Sequence, residues 1–318
     1  MQRREFFDTV AGGMVACALL GGQTSVARAP KPTDVAAWIS RRRYIATPAG
    51  RIAYVEGGRR KAALFVHGFP LNGFQWRGAL DRLSGIRRCI APDLLGLGFT
   101  EVAPGQSVAP AAQVEMLIEL LDRLKIDAVD LVANDSGGAV AQLLLVAHPE
   151  RVRTLLLTNC DAEPDSPPPA LKPVLDMARA GTFAEKMLAP WAVDKALARS
   201  PTGLGGLTYT YPERLADETI DHYLKPLIAP DRQALTNAYA VALDPNPLAG
   251  IEAALKKSRT PARIVWGTGD AIFSPEMPDY LDRTFGNSRG VRRIPGAKLF
   301  WPEEFPELLA EEARALWT

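Results

Sequence analysis

With 318 residues, 47% of them hydrophobic, the chain can bury a large core and form roughly one or two domains. Its 37 basic and 36 acidic side chains leave a net charge of +1, which gives no electrostatic basis for binding nucleic acid or an acidic surface. No Lys/Arg-rich tract, zinc-type Cys/His spacing or fixed-period repeat is present, so no cofactor or metal is expected.

Residues 1–29 read as an export leader. "MQRREFF" is a basic start with Arg3 and Arg4, "VAGGMVACALLGG" is apolar, and "VARA" places small residues at Ala27 and Ala29, the pattern of a signal-peptidase site. The apolar run is too short to span a bilayer of ~30 Å as a helix, so no stable membrane span is expected. Arg-Arg followed by Phe6 resembles a bacterial twin-arginine signal, which implies a periplasmic or secreted protein. Cys17 after "MVA" resembles a lipoprotein acylation site, although Met14 fits that pattern poorly. Cleavage after Ala29 would leave Cys89 and Cys160, which read as buried thiols on non-adjacent strands.

From residue 41 the chain alternates strand-like and helix-like segments. "RYIAT" and "RIAYVEGG" predict an opening antiparallel pair, and "AALFVHGF" a short buried strand. "WRGALDRL" predicts a helix and "RRCIAPDLL" a strand. In "AAQVEMLIELLDRL", Val114, Leu117, Ile118, Leu120, Leu121 and Leu124 recur at helical spacing. The strand "VDLVAN" runs into the helix "GGAVAQLLLVAHPE", and "VRTLLLTN" follows as a strand. After a gap come the strands "ARIVWGTGD" and "VRRIPG" and the helices "MPDYLDRTF" and "PELLAEEARALW". The alternation predicts an α/β fold with a mostly parallel sheet covered on both faces. Residues 161–255, rich in Pro and Ala and without a convincing buried strand, read as a helical cap inserted into a core of 30–160 and 256–318. Such a cap would lie over the strand ends where open α/β sheets bind ligands.

Between strand and helix, "VDLVANDSGGAVAQLL" holds Asp135 and Ser136 side by side. A sharp strand–turn–helix needs small residues two before and two after its central residue, and the nucleophile then stands above the helix N-terminus. With Asp135 at the centre the small pair is Ala133 and Gly137. With Ser136 there, the bulkier Asn134 takes the first small position. Sterics therefore favour Asp135 as the nucleophile.

"FVHGFP" (65–70), "APDLLGLGFT" (91–100), "ANDSGG" (133–138), "HPERVRTLLLTN" (148–159), "VWGTGD" (265–270) and "IPGA" (294–297) resemble, in order and spacing, the α/β-hydrolase family. The resemblance covers about residues 40 to 318 and implies an eight-stranded, mostly parallel sheet with a helical cap. An acid at the elbow is similar to the haloalkane dehalogenase and epoxide hydrolase branch. There the acid attacks carbon and forms an ester on itself, which a histidine-activated water hydrolyses. The resemblance implies that the backbone N–H groups of Phe69 and Ser136 form an oxyanion hole. It also implies that Asp270 orients the catalytic imidazole. His67, in the oxyanion loop, reads as a turn-stabilising residue.

The pattern breaks at "PGAKLFWPEEFPE", where Leu299 stands at the place of the family's histidine. Of the chain's three histidines, His67 and His148 read as structural, which leaves His222 in the cap as a candidate substitute base. Lys298 is the other, provided that burial lowers its pKa; its plainer role is a salt bridge to Asp270. Phe69 and Ser136 also stand where dehalogenases resembling this chain carry halide donors, and Trp191 is the candidate replacement. Tyr209, Tyr211, Tyr223 and Tyr239 are candidates for protonating an epoxide oxygen. Three readings follow. The first is a hydrolase of small apolar electrophiles or esters through Asp135. The second is a binding or sensing protein that keeps the pocket without turnover, and the third is a Ser136 esterase that equally lacks a base. The expected partner is a small molecule, and oligomeric state is open.

Overall fold

A computed structural model describes residues 33–318; the leader reading, with Arg3, Arg4, Cys17 and Ala29, lies outside the described residues. The strands are β1 (Arg43–Thr47), β2 (Gly50–Gly57), β3 (Ala62–Val66), β4 (Arg88–Pro92), β5 (Glu101–Val102), β6 (Val129–Asp135), β7 (Val152–Cys160), β8 (Ala262–Gly267) and β9 (Ser288–Ile294). They form one nine-stranded sheet in the order β1-β2-β4-β3-β6-β7-β8-β9, with β5 paired to β2. The strand beyond the expected eight is the two-residue β5, too short to leave a pattern in the sequence. β1 and β2 form the expected antiparallel pair and β2 joins β4 antiparallel, while every pairing from β4 to β9 is parallel.

The central strands are mostly apolar because helices cover both faces. Every residue of β3 and β6 is buried. Asp130 is the acid near the start of β6, away from its Asp135 end, and its carboxylate is matched by Arg87 Nε at 2.7 Å and Arg153 Nη2 at 3.1 Å. A charge in that position is tolerated only when paired in this way. Cys89 on β4 and Cys160 on β7 are free and buried, with β3 and β6 lying between their strands. On the helix Pro110–Arg123, Val114, Leu117, Leu120 and Leu121 face the core, as their spacing predicts.

Between β7 and β8 the described chain holds helices and loops and no strand. The helix Lys172–Arg179 packs on Gln233–Val241, and Ala189–Val193 packs on Asp217–Ile228. Phe183, Leu188, Ile220 and Leu227 are fully buried among them. No helix among the described residues is long and apolar enough to cross a membrane.

Candidate active site

β6 ends at Asp135 with φ 55° and ψ −136°, a strained conformation for a residue that carries a Cβ, and Ser136 opens the helix Ser136–Ala147. The turn therefore centres on Asp135, where the small-residue argument places it. Gly138 lets this helix start against β7, since a Cβ there would lie 2.3 Å from Cys160 Cβ. Phe69 N–H donates to Asp135 Oδ2 at 2.7 Å, and the Ser136 N–H also points at this carboxyl. The two donors expected of an oxyanion hole are thus aimed at the acid itself.

Above Asp135 lies a cavity of about 360 Å³, walled by residues such as Phe183, Met187, Trp191, Leu243, Ile272 and Leu299. Of the residues lining it, only Asp135, Ser136, Asp161 and Thr208 carry oxygen in their side chains. The Ser136 hydroxyl is held 3.1 Å from Tyr239 Oη, and the Tyr239 ring stacks on Phe69 with centroids 5.3 Å apart. Burial pushes the Asp135 carboxyl well above its ordinary range, and repulsion from Asp161 and Asp270 adds to this, against the pull of the two backbone N–H groups.

Asp161 carries no role in the sequence reading. It follows the last residue of β7, lines the same cavity and is buried, and burial pushes its carboxyl up to about 7. Its signal in the sequence is weak but physical: an acid one residue beyond a buried parallel strand, on the side where such sheets bind ligands.

Asp270 lies beyond the end of β8. A Cβ at Gly267 would sit 2.3 Å from the Ala297 carbonyl oxygen, and Gly269 N–H donates to that same oxygen at 2.8 Å. The loop carrying Asp270 is therefore closed onto the loop carrying Leu299. Asn159 Nδ2 donates to Asp270 Oδ2 at 2.8 Å and Ile272 N–H to Oδ1 at 2.8 Å. Each carboxylate oxygen thus has a donor that is not an imidazole. Asn159 and Asn134 escaped the sequence reading. Asn134 Nδ2 donates to the carbonyls of Asn159 and Leu299, each at 3.1 Å, and ties the two loops to the elbow.

Leu299 is 2% exposed and presents its alkyl side chain to the cavity. The two candidate substitute bases are not brought to it. Lys298 Nζ donates to the Gly206 carbonyl at 2.5 Å, so it neither faces Asp135 nor forms the expected salt bridge to Asp270. His222 lies between Phe74 and Phe99, with ring centroids 5.0 Å from each, and its Nε2 is 3.4 Å from Arg42. It borders a separate surface depression, and burial together with Arg42 pushes its pKa down to about 4. A protein cation next to the ring and an aromatic sandwich account for its place in the cap. His67 is fully buried, with Nε2 accepting from Leu94 N–H at 3.0 Å and Nδ1 2.9 Å from the Gly68 carbonyl. This fixes the Nδ1–H tautomer and the turn-stabilising role.

Trp191 lines the cavity as its candidacy requires. None of the four candidate tyrosines is among the lining residues. Tyr209 and Tyr223 donate to Glu303 Oε2 at 2.7 and 3.0 Å, Tyr211 packs on Phe305, and Tyr239 is held by Ser136.

The sheet order, the strained acid turn and the helical segment over it define an α/β hydrolase. Residues 63–312 match the model of the alpha/beta hydrolase family, and the chain belongs to that family. It is 26% identical over 283 residues to haloalkane dehalogenase 2 of Mycobacterium bovis, covering 84% of this chain and 92% of that one. A shorter stretch of 82 residues is 42% identical to the 2-hydroxymuconate semialdehyde hydrolase of a Pseudomonas species, and spans 26% of this chain and 29% of that enzyme. Among solved structures, an alpha/beta hydrolase fold protein from Burkholderia ambifaria superimposes with a TM-score of 0.73 at 25% identity, over 85% of this chain and 96% of the other.

Proposed function

We propose that Asp135 is the nucleophile of a hydrolase acting on small apolar electrophiles, of the alkyl halide or epoxide type. In the first step Asp135 Oδ1 bonds to a saturated carbon as the carbon–halogen or ring carbon–oxygen bond breaks, leaving an ester on Asp135. Oδ2 stays on the Phe69 N–H, and the Ser136 N–H faces the same carboxyl; the two donors orient it and favour its anion. The observation that carries this reading is the junction of that N–H pair, the strained acid and a cavity of about 360 Å³ with almost no other polar group. Apolar walls suit an alkyl chain and exclude water from the attack. Likeness to a haloalkane dehalogenase over most of both chains supports the same substrate class.

A second reading, capture without release, is favoured by Leu299. In the family's scheme an imidazole activates water against the ester, and a hydrocarbon side chain stands there instead.

The test is intact mass after exposure to a hexyl bromide and to the matching terminal epoxide. The expected result is free alcohol from the bromide and diol from the epoxide, or a covalent gain mapped to Asp135 and equal to the alkyl group or to the whole epoxide respectively, with all of these abolished in Asp135→Ala. Label or product that persists in that variant would overturn the assignment of the nucleophile. Alcohol in many-fold excess over protein would remove the capture-only reading.

A further inference from the structure

Asp161 is a buried carboxyl that the capture step leaves unused. It follows Cys160, whose register partner on the neighbouring strand is Asp135, so the two acids leave adjacent strand ends. Both line the cavity. Ser166 Oγ donates to Asp161 Oδ1 at 2.7 Å and Gln142 Nε2 donates to the Asp161 carbonyl at 2.8 Å, so side chain and backbone are both held. Two fixed carboxyls in a dry site can divide acid and base work between them.

We propose that Asp161 is the general acid–base of this site and releases the ester that Asp135 forms. The inference rests on Asp135 being the nucleophile, and it replaces the absent imidazole with a carboxyl from the neighbouring strand end.

The steps balance as follows for an epoxide. As Asp135 bonds to carbon and the ring carbon–oxygen bond breaks, Asp161 gives its proton to the ring oxygen and becomes a carboxylate. That carboxylate next takes a proton from water while the water oxygen bonds to the ester carbonyl carbon. The oxyanion forms on the oxygen facing the Phe69 and Ser136 N–H groups. When the tetrahedral centre collapses, the bond to the alcohol oxygen breaks and Asp161 returns its proton to that oxygen. One proton remains on the carboxyl pair, as at the start, and the net reaction is epoxide plus water to diol. With an alkyl bromide the leaving group is bromide ion, and Asp161 loses its proton to solvent before release.

Both carboxyls are pushed above their ordinary range by burial, so a single proton can sit on either of them. The groups facing Asp161 are Asp135, Asp165, the Cys160 thiol and, next to Asp135, Asp270. Burial and these carboxylates push the Cys160 thiol far up, so it stays neutral. Asp161 repels the Asp135 carboxylate, so the two carboxyls titrate as a coupled pair that shares a proton, and attack uses the form in which that proton sits on Asp161. Esterification removes the charge of Asp135 and with it that repulsion, which frees Asp161 to ionise when a base is needed.

Asp161→Asn keeps an acceptor for Ser166 and removes the titrating group. With hexyl bromide, which needs no acid in the first step, the expected result is an Asp135 adduct that outlives that of the unaltered protein by ~100-fold or more, the range of a general base. In the unaltered protein the rate of ester loss should rise with pH and level off at or below about 7, because release needs the ionised Asp161 and the esterified Asp135 no longer repels it. Equal adduct lifetimes in the two forms would overturn the role of Asp161 and leave Asp135 as nucleophile. No label and no product in either form would overturn both. Should the variant fail to fold, a flat pH profile of ester loss in the unaltered protein overturns the proposal on its own.

Discussion

Two loops reach the cavity above Asp135. One leaves β7 through Cys160 into Asp161; the other leaves β9 and carries Lys298 and Leu299. The first turns a buried carboxyl into the cavity, while the second turns in an alkyl group and directs its amine to the Gly206 carbonyl. Both are held to the elbow by amide groups, through Gln142 on one side and Asn134 on the other. The loop that presents Leu299 is thus tied to the elbow as the Asp161 loop is. What differs is where titratable chemistry remains, and every acid–base step is moved to the β7 side.

The largest expected effect concerns an imidazole that the chain does possess. His67 is fully buried and burial pushes its pKa down to about 4, against an ordinary value of 6.5. Between those values the unfolded chain takes up a proton that the folded one refuses, so stability falls as the pH drops from about 6.5 to about 4. A depression of that size corresponds to about 3 kcal/mol. In His67→Gln the urea-unfolding free energy should fall less over this range than in the unaltered protein. The difference between the two slopes isolates His67 from the carboxylates, and identical slopes would show that this ring titrates freely. A freely titrating ring beside Phe69 would break the contrast, since it could act as a base after all.

Two glycines sharpen the contrast next. A Cβ at Gly138 would press on Cys160, beside Asp161, and one at Gly267 on the Ala297 carbonyl, beside Leu299, each at 2.3 Å. Gly138→Ala and Gly267→Ala should each cost about 2 kcal/mol of stability, as overpacking does. Only Gly138→Ala should also lengthen the lifetime of the Asp135 ester, because only it shifts the strand end that carries the acid–base group. Slower release in Gly267→Ala to the same degree would place the releasing group on the β9 side.

Much of this is legible in the sequence. The strand and helix order follows from binary pattern, because central strands covered on both faces are mostly apolar. The spacing of Ala133 and Gly137 around Asp135 selected the residue that carries the strained φ. Absence was legible too: Leu299 at the histidine's place is a statement about one position. Asp161 and Asn159 were not, since their roles depend on which strand ends are neighbours, and sheet order is not written in local pattern. Lys298 failed as a candidate base for a related reason. A long side chain beside the right position can reach either of two places, and the Gly206 carbonyl decided between them.

The smallest effect is the most pointed. If the two loops differ only in chemistry, a base restored on the β9 side should compensate for one removed on the β7 side. Leu299→His in the Asp161→Asn background places a ring in the same cavity, at a backbone position fixed by the Asn134 bond to the Leu299 carbonyl. Its partner would be Asp270, whose oxygens already receive Asn159 Nδ2 and Ile272 N–H. Sharing that acceptor leaves the ring less well oriented than a base with a dedicated carboxylate, so the gain should fall short of the usual ~10²–10⁴. The expected result is an ester lifetime shortened by about tenfold, below that range, relative to Asp161→Asn alone. An unchanged lifetime would mean that the β9 loop no longer positions a base at all, and that the two loops differ in geometry as well as in charge.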